Sequence, residues 1–128
     1  MKIAPEIERD SIFIKDLELS QLRLFKDGDL DWFLLIPRVE GAKDWSDLEL
    51  KEQEVLCKEI TEISNYLKAE VGPDKINVAS LGNMVPQLHI HIIARYKSDR
   101  AWPAPIWGTE SSSEFKLERL DFWISKLK

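Results

Sequence analysis

The chain has 128 residues, 44% of them hydrophobic and 32% charged, which is enough length and apolar content for one domain with its own core. Lys and Arg total 18 against 23 Asp and Glu, a net charge of -5, and no basic cluster stands out, which argues against duplex nucleic acid as a partner. The single cysteine, Cys57, excludes an intramolecular disulfide and a cysteine zinc cluster, and no apolar run approaches the roughly 20 residues of a membrane helix. A single domain over residues 1–128 is expected, cytoplasmic and without membrane contact.

In SIFIKDLELSQLRLFKDGDLDWFLLIPR, two β-favouring apolar runs flank KDGD. The Asp27-Gly28 pair predicts a tight hairpin, because Gly accepts the positive φ that such a turn demands. The flanking strands fall at 20–25 and 31–36, and Pro37, which cannot donate to a sheet ladder, marks the end of the second. Further on, Leu56, Ile60, Ile63 and Leu67 recur at steps of 4, 3 and 4, the spacing of one helix face. A helix over 50–69 follows, stopped by Gly72 and Pro73.

KINVASLGNMVPQLHIHIIARY predicts a strand at 76–80, a Gly-Asn loop, and a longer strand at 87–96. KSDRAWPAPIWG has no clear period and reads as an ordered, irregular segment. Ser111 with Glu114 fits a capping box for a final helix, on which Leu117, Leu120, Ile124 and Leu127 keep helical spacing. The middle helix is the only long crossover between strands. The expected class is therefore α+β, an antiparallel sheet with a long central helix and a C-terminal helix.

Both histidines of the chain, His89 and His91, lie in the last strand. Side chains two apart on a strand share a face, so Gln87, His89 and His91 form one row while Leu88, Ile90 and Ile92 point the other way. Such a row supports three readings. It can be ordinary sheet packing with hydrogen-bonded rings. It can be a metal site, which needs a third ligand that only a carboxylate or Cys57 could supply. Or it can be nucleophilic: one neutral imidazole attacks phosphorus while the other, protonated, donates to a phosphate oxygen or the leaving group. The preceding Gly82 and Asn83 favour an anion, since Gly lets backbone approach a ligand closely and Asn offers both donor and acceptor.

INVASLGNMVPQLHIHIIAR resembles the core motif of the histidine triad family, alternating histidines with apolar residues after a Gly-polar loop. The helix, the early FLLIPR and the later Trp follow that family's order. The resemblance implies that His89 is the nucleophile that becomes nucleotidylated and that His91 contacts the phosphate. It puts Gln87 where the family has its first histidine, as in some bacterial members that also carry a segment like WPAPIWG. Asn83 takes the loop position that binds phosphate oxygens, and Asn77 a polar strand position near the nucleotide. The tight hairpin at KDGD replaces the family's Pro-Gly-His turn.

The activity so implied is hydrolysis or nucleotidyl transfer at the α-phosphate of a nucleoside phosphoramidate or dinucleoside polyphosphate. The site would comprise His89 and His91 as catalytic residues and Asn77, Gly82, Asn83, Gln87 and Trp107 as substrate-binding ones, with no metal or other cofactor. The expected partner is a small-molecule nucleotide. A homodimer is implied too, with Trp102 and Trp107 offered to the partner's site. With an amide in the first motif position, a nucleotide-binding module without turnover is the alternative.

Overall fold

The computed structural model describes residues 1–127. A short helix α1 (Pro5–Asp10) opens the chain, with Pro5 at its first turn and Glu6 and Glu8 near its positive end. Strands β1 (Ser11–Asp16), β2 (Ser20–Phe25) and β3 (Trp32–Pro37) follow, then a single 3-10 turn at Trp45–Asp47 and the long helix α2 (Leu50–Val71). Strands β4 (Lys75–Ala79) and β5 (Ile90–Arg95) and a final helix α3 (Leu117–Lys126) complete it. The strands form one antiparallel sheet in the order β1-β2-β3-β5-β4. The expected α+β architecture is present, with two additions at the front, α1 and β1. Among the described residues no helix is long and apolar enough to cross a membrane.

Strands β3 and β5 sit at the centre of the sheet and are buried at every position. Alternate residues therefore enter two separate cores. Phe33 and Leu35 join Leu88, Ile90 and Ile92 against Leu56, Ile63 and Leu67 of α2 and Trp123 of α3. Trp32, Leu34, Ile36 and Ile93 face the other way, where Ile3, Ile7, Leu30 and Ile106 cover them. The helix periodicity of α2 holds, and Gly72 ends it in a left-handed conformation. One polar residue on its inner side, Glu59, is also buried and accepts the backbone N–H groups of Leu19 and Ser20 at 2.8 and 3.3 Å, tying α2 to the start of β2.

Two expectations are corrected at the β2–β3 connection. It is not a tight turn at Asp27-Gly28 but a longer loop over 26–31, in which Asp27 Oδ2 accepts the N–H groups of Asp29 and Leu30. Gly28 does not have the positive φ expected of it. Its role is close approach: a Cβ there would lie 1.9 Å from the Ser113 carbonyl oxygen. Nor do Ser111 and Glu114 cap the final helix, which begins at Leu117 with Lys116 as its N-cap and no side-chain cap. Ser111 to Ser113 instead hold the loop, the hydroxyl groups of Ser112 and Ser113 donating to Asp29 and that of Ser111 accepting the Gly28 N–H. Arg100 bridges Asp27 and Asp29 from the far side. Asp31 closes the set by accepting from Arg119 and from the Trp123 indole N–H.

Candidate functional site

The last strand is shorter than expected. Its ladder starts at Ile90, so Gln87 and His89 lie in the approach to β5 rather than within it. The shared face of the histidines persists, with ring centroids 5.0 Å apart. Both rings are buried, because α1 and the segment around Ile106 cover that side of the sheet. The rings look into a cavity of about 280 Å³ that Gly82 and Asn83 also line, with Leu81, Met84, Val85 and Trp107. Gly82 has a φ of 76°, a conformation that L side chains resist, and this bend brings the loop over the rings.

Two hydrogen bonds give the imidazoles opposite tautomers. His89 Nδ1–H donates to the Gln87 backbone carbonyl at 2.7 Å, which leaves the Nε2 lone pair available. His91 Nδ1 accepts the Trp32 indole N–H at 3.0 Å, so a neutral His91 carries its proton on Nε2. Burial, with the neighbouring His89 adding to it, pushes the His91 pKa down to about 3. A ring held neutral in this way has an Nε2–H free to donate. Trp107 lies edge-on to His91, 5.0 Å between centroids at 84°, and also edge-on to Trp32.

Trp32 was missed in the sequence. It pairs with Ile93 across the β3–β5 ladder while Leu34 opposes His91, so it is the diagonal neighbour of the histidine on the same face. Only the register of two strands 59 residues apart reveals that. Trp107 is one of the two tryptophans that the resemblance offered to a partner's site, and it lies against the His91 of its own chain. Arg95 holds the segment that leads to it. This buried guanidinium binds Asp99 at 2.7 Å and the Ala104 carbonyl at 2.7 Å, pinning the segment 99–104 over the sheet. It holds the Asp99 carboxyl below the ordinary carboxylate range.

Two expected substrate-binding residues are committed elsewhere. Asn77 Oδ1 accepts from Arg95 Nη1 at 2.8 Å, so Asn77 belongs to this structural network and does not line the cavity. The Gln87 side chain points to the N-terminal segment, accepting the Ala4 N–H at 2.8 Å and donating to the Lys2 carbonyl at 3.1 Å. Its backbone carbonyl, not its amide, meets His89. Cys57 is exposed on α2, and among the described residues no three His, Cys, Asp or Glu side chains converge as metal ligands.

A model of the HIT domain, the histidine triad domain, matches residues 6–98. The chain belongs to the HIT domain family. It is similar over 98% of its length to a histidine triad protein from Bradyrhizobium japonicum, at 40% identity and a TM-score of 0.93, and covers 94% of that chain. A histidine triad protein from Sinorhizobium meliloti gives 34% identity and a TM-score of 0.93, with 98% of this HIT chain and 93% of that one covered. Among curated proteins, a bis(5'-adenosyl)-triphosphatase from Saccharomyces cerevisiae is 36% identical over 69 residues, 50% of this chain. The HIT chain spans about a third of the length of that relative, 34%.

Proposed function

We propose that the chain is a nucleotide hydrolase or nucleotidyl transferase acting at an α-phosphate through a nucleotidyl-His89 intermediate. The observation that carries this reading is the pair of complementary tautomers facing one cavity: an unprotonated Nε2 on His89 beside an Nε2–H on His91. The His89 Nε2 lone pair attacks phosphorus, the N–P bond forms, and the bond to the leaving group breaks, its electron pair departing with that group. The ring then carries positive charge, and the Gln87 carbonyl at Nδ1–H stabilises it. His91 Nε2–H and the Asn83 amide donate to the non-bridging oxygens. Water next attacks the phosphorus, the N–P bond breaks, and a nucleoside monophosphate leaves with His89 restored and the water's proton lost to solvent.

The substrates favoured are nucleoside phosphoramidates and dinucleoside polyphosphates, both of which carry a nucleotidyl group on a leaving group. Incubation with adenosine phosphoramidate and with diadenosine polyphosphates should place one adenylate on the protein by intact mass, and AMP should accumulate. Turnover that persists in His89→Ala would refute the assignment. A second reading, nucleotide binding without turnover, is favoured by Gln87 in the first place of the motif and by the altered connection at KDGD. Calorimetry that finds AMP binding in a protein inactive on every substrate above would select it.

We also propose a homodimer in the cytoplasm. Strand β4 is an edge of the sheet, with Val78 exposed on it and Leu81 and Met84 exposed on the loop that follows.

A further inference from the structure

Residues 80–89 belong to no strand, yet they carry the carbonyl on which His89 depends. Such a carbonyl is held only as well as its anchors hold the backbone around it. One anchor is the Leu88 N–H, which donates to the Ala42 carbonyl at 3.1 Å. The other is the Gln87 side chain itself, bonded at both ends to backbone of the N-terminal segment, the Ala4 N–H and the Lys2 carbonyl. That segment is fixed in turn, because Ile3 and Ile7 are buried in the core on the histidine side of the sheet. An unbroken set of contacts thus runs from the N-terminal segment through the Gln87 amide and the Gln87 carbonyl to the imidazole.

A primary amide suits this place. It offers a donating NH2 and an accepting oxygen on a single planar group, which matches a C=O and an N–H two residues apart. A carboxylate would present only acceptors, and one of them would face the Lys2 carbonyl.

We propose that Gln87 is a positioning residue: its amide clamps the N-terminal segment, and the clamp fixes the carbonyl that keeps His89 protonated on Nδ1. Residues 2–4 are on this account a remote part of the site. The proposal rests on the reading of His89 as nucleophile for its kinetic consequence, but its structural core, the tautomer, can be measured without any substrate.

Two substitutions remove opposite halves of the clamp. Gln87→Glu deletes the donor to Lys2. Ala4→Pro deletes the donor to Gln87 at a residue whose φ of -56° and ψ of 139° a proline adopts without strain, and it touches no histidine. In 15N spectra of the imidazoles, wild-type His89 should show a protonated Nδ1 and an unprotonated Nε2. Each variant should move both shifts toward the average of the two tautomers. With a turned-over substrate, kcat should fall by about ten- to a hundredfold with KM little changed, the mark of a displaced nucleophile rather than lost binding. The two substitutions together should cost less than the product of their separate effects, since either one opens the same clamp. Unshifted His89 nitrogens in both variants, in proteins that melt cooperatively, would overturn the proposal. So would a wild-type ring protonated on Nε2. A protein that turns over no substrate but shows the shifts keeps the clamp and loses the nucleophile.

Discussion

His91 lies between two indoles and an imidazole, and that burial, more than the charge of its neighbour, moves its pKa from 6.5 down to about 3. In the unfolded chain the ring takes up a proton below its ordinary value, whereas in the folded protein it stays neutral through the whole window. The unfolded state therefore binds the extra proton between these limits. Stability is complete above pH 6.5 and declines as the pH falls through the window, by up to ~1.4 kcal/mol per pH unit from this group. Urea titrations between about pH 7 and 4.5 should show a steeper decline for the wild type than for His91→Gln, and parallel declines would remove burial as the cause. Trp32→Phe addresses the same ring from its other side. Without the indole N–H, Nδ1 is left buried and unpaired and either nitrogen can hold the proton. A loss of about 1–3 kcal/mol in urea and a fall of about tenfold or more in kcat are expected.

At the scale of elements, what could be read in the residues depended on how local the cause was. Helix α2 follows from the spacing of Leu56, Ile60, Ile63 and Leu67, and β4 and β5 from their apolar runs, because periodicity records which side of an element is buried. Helix α1 has six residues and one buried side chain, Ile7, too short for a period to show; Pro5 followed by acidic residues was its only signal. The histidine row was legible for the same reason as α2, but the Trp32 indole, the Asn77 bond to Arg95 and the Gln87 clamp depend on register and on residues 18 to 85 positions apart. Asp27-Gly28 shows how a local signal can mislead. The glycine is needed by a neighbour 85 residues later, not by a turn. Gly28→Ala should therefore push the segment at Ser113 away, at a cost of about 1–3 kcal/mol. Thermal unfolding measures it, and a variant as stable as the wild type would show that the loop yields freely.

Across the whole molecule, the α+β class and the central helix were legible, while the closing of both sheet faces was not. The histidine face is covered by the first turn of chain and by the segment after Arg95, neither of which carries a long apolar period. The proposed dimer belongs to this scale. An edge strand with Val78, Leu81 and Met84 exposed offers backbone groups and apolar area together, so sedimentation at micromolar concentration should give twice the chain mass. Val78→Lys on that edge should shift it toward the monomer, and a wild-type monomer would reject the pairing.

Synthesis runs from the N-terminus, so the order in which the parts emerge matters. When His89 and His91 leave the ribosome, α1 and four strands' worth of sequence are already out. Trp107, which lies on His91, and Trp123, which is fully buried against Phe33, are not. A nascent chain that has released its histidines still lacks one wall of the cavity and part of the core beneath the sheet. The histidine cavity is complete only once Trp107 is in place, and the core on the opposite side of the sheet only once Trp123 is.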